Sequence, residues 1–250
     1  MKQPIVFLHG FLESTRMWEG VTDSFNDEYY VVCFDLPGHG NTPVISGNHT
    51  MGLMADYIKE KLATQNINKA IFIGHSMGGY VALEIGKKYP ELVKGISMFF
   101  SSAAEDFPQK KIDRDRAAQV AKKNHRLFIR EAIPFLFTDE NKIRLGEQIK
   151  EQTELALQTS VEGIISCLAG MRDRVDNIKY LNEAPFPIQF IVGQKDPVIS
   201  INSLDLQLRA KAVVDVEIIE NCGHMGHIEE PEQCQKVLRR FFKKTSLRKL

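Results

Sequence analysis

A chain of 250 residues, 43% hydrophobic and 26% charged, holds enough apolar material to bury a large core as one domain or two. Lys plus Arg and Asp plus Glu both number 32, so the charge excess that marks nucleic-acid or anionic-membrane binders is missing. No run of eighteen apolar residues offers a membrane span, and the run at 5–8 is too short for a signal-peptide core, so a cytoplasmic protein is expected.

In chain order, short apolar runs at 5–8, 30–34, 70–73 and 95–100 lack the polar/apolar alternation of one-sided strands. They read as strands buried on both faces of a parallel sheet. Helix-like stretches near 14–25, 50–64 and 77–88 lie between them, and this βαβα rhythm predicts a doubly wound α/β sheet. From about 103 to 180 no strand is predicted; helices are expected over 106–124, 125–137, 139–157 and 161–171. Strands resume at 186–192 and 213–219, and a helix over 231–242 opens on Pro231, well suited to a first turn. The expected organisation is a core of residues 1–102 and 181–250 interrupted by a helical cap, 103–180. The basic tail after residue 238 reads as a solvated helix end whose charges complement the helix dipole. Cys33, Cys167, Cys222 and Cys234 are far apart with no CxxC pairing, so all four are expected to be reduced.

Chemistry enters with Gly74-His75-Ser76-Met77-Gly78, a G-x-S-x-G motif. The motif alone is weak, but here it follows the strand at 70–73 and opens a helix carrying Val81, Leu83 and Ile85. A nucleophile elbow requires that strand–turn–helix setting. The serine backbone there is strained, and its glycines admit close neighbouring chains. Ser76 is therefore the candidate nucleophile, and strand alternation predicts that His75 points away from it and packs.

With these residues in view, the chain resembles the α/β-hydrolase family over nearly its whole length. PIVFLHGFLES looks like the family's first sheet loop, which implies backbone N–H donors at Phe11 and Met77 for an oxyanion, with the Phe11 side chain free to line an acyl pocket. FDLPGHGNT is similar to the family's D-x-P-G-x-G-x-S loop, with Thr42 at the last position. Asp35 reads there as a turn-forming carboxylate and His39 as a support for the oxyanion loop. Gly193 and Asp196 match a G-x-x-D pattern after a late strand, which makes Asp196 the expected acid. Gly223, His224, Glu229, Pro231 and Glu232 match G-H-x-x-x-x-E-x-P-E, which makes His224 the expected base and leaves His227 at the pocket edge. Asp106 is the rival acid. Cys222, His224 and His227 lack zinc spacing and a distant ligand pair, so neither metal nor cofactor is expected.

The resemblance implies about six parallel strands without the N-terminal antiparallel hairpin of many relatives, for which the few residues ahead of Ile5 leave no room. It also implies a serine hydrolase acting on a small-molecule ester or related acyl compound, by way of an acyl-enzyme on Ser76. Carbon–carbon hydrolases, thioesterases and perhydrolases share the triad, and a non-catalytic ligand receptor could keep the fold. Phe128, Phe135, Phe137, Ile164, Leu168 and Met171 read as helix-packing residues, with Phe135 and Phe137 expected over an apolar pocket. Neither a nucleic-acid nor a membrane partner is expected. Natural substrate and oligomeric state are left open.

Overall fold

The computed structural model describes residues 2–45 and 47–247. Six strands, β1 (Pro4–Leu8), β2 (Tyr30–Phe34), β3 (Ala70–His75), β4 (Val93–Phe99), β5 (Ile188–Gly193) and β6 (Val213–Ile219), form one sheet in the order β2-β1-β3-β4-β5-β6. Every neighbouring pair is parallel. All six residues of β3 and of β5 are buried, as strands covered on both faces must be. Helices α1 (Met51–Thr64), α2 (Met77–Lys88), α7 (Asp205–Leu208), α8 (Gly226–Glu229) and α9 (Pro231–Ser246) belong to the sheet segments. Between β4 and β5 lie α3 (Pro108–Phe135), α4 (Asp139–Arg144), α5 (Gly146–Ala156) and α6 (Val161–Arg172).

Two apolar clusters flank the sheet. One joins Val6, Leu8, Phe72, Met98 and Phe190 to α1, α2 and buried residues of the inserted segment, including Ile129, Ile133, Phe137 and Leu168. The other packs Phe7, Ile71, Ile73 and Phe99 against Trp18, Phe25 and the α9 residues Leu238, Phe241 and Phe242. The basic tail is the end of α9, with Lys243 and Lys244 in its last turn; its final three residues, 248–250, lie outside the described part.

Two predicted elements come out differently and a third division is kept. The stretch 14–25 is no α-helix but two short 3-10 turns, Thr15–Trp18 and Asp23–Phe25. Gly20, at φ +79°, breaks the run, while Met17, Trp18, Val21 and Phe25 still bury themselves against β1 and α9. The single helix expected over 139–157 is split at Leu145 (φ −115°, ψ 27°) into α4 and α5. The two helices expected over 106–124 and 125–137 are present within α3, separated by a break at Asn124, whose dihedrals (φ −155°, ψ 81°) are not helical.

The chain runs from β1 out to the β2 edge and then returns to the other side of β1 with β3. Beyond the carboxyl ends of β1 and β3 the order reverses, and open α/β sheets bind ligands in the crevice at such a point.

Candidate active site

Ser76 stands between the end of β3 and the first turn of α2, with φ +48° and ψ −112°. A left-handed, non-glycine residue costs on the order of 1–3 kcal/mol, so its surroundings must impose it. They do: its N–H donates to Phe99 O (3.1 Å) and its carbonyl accepts from Ser101 Oγ (2.7 Å). The two motif glycines are steric necessities. A Cβ on Gly74 would lie 2.3 Å from Gly78 O, and one on Gly78 would lie 2.4 Å from Leu8 O. Leu12 (φ +63°) and Phe100 (φ +49°), past the ends of the neighbouring strands, also have positive φ.

Asp196 and His224 come from the ends of β5 and β6. Asp196 Oδ2 lies 2.7 Å from His224 Nδ1, and its Oδ1 accepts the N–H groups of Val198 (2.7 Å) and Ile199 (2.9 Å). Both side chains are almost wholly buried. The loops can meet because Gly193 has no side chain; a Cβ there would lie 2.1 Å from Gly223 O. Glu229 fastens the histidine loop by accepting the N–H groups of Gly223 and Met225, each at 3.0 Å to Oε1. The amide of Asn141 in α4 donates to Glu229 Oε2 (2.7 Å), and the His224 N–H donates to Leu136 O (2.9 Å), so the inserted helices brace that loop. Asp106 pairs instead with two arginines, buried between Arg114 and Arg174.

Ser76 and His224 line one cavity of about 90 Å³ with Phe11, Leu12, Glu13, His75, Tyr80, Arg114, Ala132, Leu136, Met171 and Val198. Among the described residues, neither the Phe11 nor the Met77 N–H donates a hydrogen bond. Their neighbours are engaged: Gly10 N–H donates to Glu13 Oε2 (2.8 Å) and Leu12 N–H to His39 Nε2 (3.1 Å). His9 Nε2 accepts the Leu36 N–H (2.8 Å), which leaves its Nδ1–H to donate to Gly10 O (2.7 Å). Burial lowers the pKa of His9 and takes that of His39 down to about 3, so both rings serve as neutral props for the loop. Asp35 accepts the N–H groups of Thr15 (2.7 Å) and Asn41 (2.9 Å), as a turn-forming carboxylate does.

Three expected substrate contacts are placed elsewhere. Phe135 is 56% exposed on the outside of α3. Phe137 is buried in the apolar core, and both border a surface cleft with Thr138 and Lys195 instead of the Ser76 cavity. The bend at Asn124 and the end of α3 set which helix face looks inward, and Ala132 and Leu136 take that place. His227 is buried behind Glu13, its Nε2 3.6 Å from Glu13 Oε1, and borders a different cleft with Met17 and Gln152. Burial takes its pKa down to about 3.

Among the cavity residues that sequence reasoning did not assign to the site are Glu13, Arg114, Tyr80 and His75, the last read only as a packing residue. His75 does pack, but through both ring nitrogens: Nδ1 lies 2.6 Å from Glu13 Oε2 and Nε2 lies 3.0 Å from His224 O. Both facing atoms are acceptors, which suits an imidazolium. Burial pulls the His75 pKa down, but the Glu13 carboxylate overrides it and leaves it raised. Burial likewise pushes Glu13 up, yet the charge and hydrogen bond of His75 hold it down to about 2. The available signal was a glutamate inside an otherwise apolar, glycine-bearing loop.

Among the described residues, Glu13, His75 and His227 are also the group whose metal-ligand atoms come within 4.8 Å of one another. The contacts of His75 to Glu13 and to the His224 carbonyl already occupy both its nitrogens, so the donor set fits an ion pair better than a metal. The grouping of Cys222, His224 and His227 does not form: the Cys222 thiol sits against Glu229. All four cysteines are free thiols.

This geometry can be set beside known proteins. The sequence profile of the alpha/beta hydrolase fold matches residues 3–231. The chain belongs to that family. A "putative esterase/lipase 2" of Mycoplasma genitalium is 25% identical over 253 residues, covering 92% of this chain and 85% of its own length. The monoacylglycerol lipase ABHD6 of Bos taurus is 24% identical over 260 residues, covering 95% and 74%. Among solved structures, the malate-bound thermophilic esterase of Thermogutta terrifontis superposes with a TM-score of 0.91 at 28% identity, over 97% of this chain and 90% of that one. This family member is a hydrolase-family protein with esterase and lipase relatives. No helix among the described residues is long and apolar enough to cross a membrane.

Proposed function

We propose that this hydrolase cleaves carboxylic esters of short acyl chains through an acyl-enzyme on Ser76. The observation that carries the reading is the His224 imidazole, fixed at Nδ1 by Asp196 and lining the same small cavity as the serine of a strained elbow. A serine hydroxyl is a poor nucleophile at neutral pH, so the neutral imidazole takes its proton as the oxygen attacks the acyl carbon. Asp196 fixes the tautomer that leaves Nε2 free to accept, then stabilises the imidazolium. Negative charge developing on the carbonyl oxygen meets the Phe11 and Met77 N–H groups; one such donor is worth roughly 3–4 kcal/mol. The imidazolium returns its proton to the departing alcohol, and water repeats the attack to free the acid.

A cavity of about 90 Å³ is well below the ~300–1,000 Å³ of pockets that hold drug-sized ligands, which favours short acyl groups. Residues 103–180 act as the cap, contributing Arg114, Ala132, Leu136 and Met171 to the cavity wall without supplying the nucleophile, acid or base.

A fluorophosphonate probe tests this directly. Wild type is expected to be labelled once, on Ser76, and to hydrolyse acetyl and butyryl esters, with labelling and turnover both abolished in Ser76→Ala. Equal labelling of the Ala variant removes Ser76 from the chemistry.

A further inference from the structure

The wall of the Ser76 cavity formed by α3 is not apolar. Arg114 lines it, and only its Nε is engaged, donating to Asp106 Oδ2 at 3.0 Å. Among the described residues the two Nη groups of Arg114 donate to nothing. The Arg114 side chain is only 16% exposed, and its Nη groups keep that contact with solvent without a protein partner. A guanidinium fork with free Nη groups pairs bidentately with carboxylates and phosphates, and a cavity of about 90 Å³ favours the smaller, planar carboxylate.

The charges around the cavity point the same way. Asp106, fully buried, faces two arginines: Arg114, and Arg174, whose Nη1 lies 2.8 Å from Asp106 Oδ1. Arg174 also lies over the ring of Tyr80, another cavity residue, at 4.2 Å. Lys110 reaches the seam from the same helix and donates to the carbonyl of Val198, a cavity residue on the acid loop (3.0 Å). Burial, and after it the two arginines, lower its pKa, while Asp106 and Asp196 raise it. Glu13 and His75 cancel one another. Three cations, Arg114, Arg174 and Lys110, thus face two carboxylates, Asp106 and Asp196, which leaves one positive charge unbalanced.

We infer that the Ser76 cavity takes an acyl compound that itself carries a carboxylate, and that Arg114 is the residue that binds this second anionic group. The inference rests on the esterase reading above and adds the substrate class to it. Arg114 positions the substrate and takes no part in the proton transfers. A neutral ester leaves the guanidinium fork without its matching group, and a site built to pair such a group discriminates against the ligand that lacks it.

Two ester pairs of near-equal size provide the test. Monoethyl succinate is compared with ethyl pentanoate, and acetoxyacetate with propyl acetate, so that the carboxylate lies on the acyl side in one pair and on the alcohol side in the other. For at least one pair, kcat/KM for the anionic ester is expected to exceed that for the neutral one by about tenfold or more. That ratio should collapse in Arg114→Gln and be partly retained in Arg114→Lys; any general loss of folded enzyme cancels in the ratio. Neutral esters preferred in both pairs, or a ratio unchanged in Arg114→Gln, overturn the inference. Succinate, titrated by NMR into wild type and Arg114→Gln, separates this from the esterase reading. If no ester is turned over, the esterase reading fails, while succinate binding lost in Arg114→Gln still upholds the anion site. Absence of succinate binding to wild type together with absence of anionic preference refutes it.

Discussion

Glu13→Gln asks what the ion pair beneath the active site contributes. The substitution keeps size and a hydrogen-bonding oxygen for the Gly10 N–H but removes the charge facing His75. Glu13 and His75 are both buried, with 2.6 Å between carboxylate and ring nitrogen, so water cannot replace the lost partner. Breaking such a pair costs about 3–5 kcal/mol, which for a chain of this length, at about 2–4 °C per kcal/mol, lowers Tm by roughly 6–20 °C. The pH dependence identifies the cause. Glu13 is held at about 2 against 4.5, so its contribution is complete above pH 4.5 and fades only as pH falls toward 2. His75 is raised above 6.5, so its contribution is complete below pH 6.5 and is lost as pH rises through the raised value. The stability gap between wild type and Glu13→Gln is therefore widest between about pH 4.5 and 6.5 and narrows in alkali. Thermal unfolding followed by circular dichroism from pH 4.5 to 9 measures it. A gap that stays constant across that range, or one below about 1 kcal/mol throughout, refutes the ion-pair assignment.

Asp196→Asn should lower kcat by about 10⁴ under steady-state assay, because the amide offers His224 the wrong hydrogen-bonding partner, as in the serine-protease example of the same change. Phe137→Ala should destabilise the fold by about 3–5 kcal/mol in urea unfolding, since it empties a buried aromatic site, whereas the exposed Phe135→Ala should stay within about 0.5 kcal/mol. Equal effects of the two would contradict their placement.

Much of the architecture could be read from the chain because its signals are local. Continuous apolar runs at 5–8 and 70–73, too short for helices, become strands buried on both faces wherever a sheet is covered by helices. The elbow was legible for the same reason: a serine forced to φ +48° needs glycines at fixed offsets, and those offsets are written in the sequence.

Pairing across the fold was not legible. Glu13 and His75 are 62 positions apart, and nothing in either neighbourhood says that β1 and β3 lie side by side with their ends in register. Phe135 and Phe137 carried the right chemistry for an acyl pocket. Yet the bend at Asn124 and the anchoring of the α3 end on His224 turned one outward and buried the other, leaving Ala132, Leu136 and Arg114 at the cavity. Helical periodicity fixes which residues share a face, but the face that looks at the site is chosen by packing against the whole domain. Residue types and spacings thus determined the strands and the elbow, each a matter of short-range sterics, while the candidate acid and base came from the resemblance to the family's loop patterns. The charge pairing beneath the serine and the cationic wall opposite it were decided only by tertiary structure, because an electrostatic partner is set by distance in space and carries no mark in the chain.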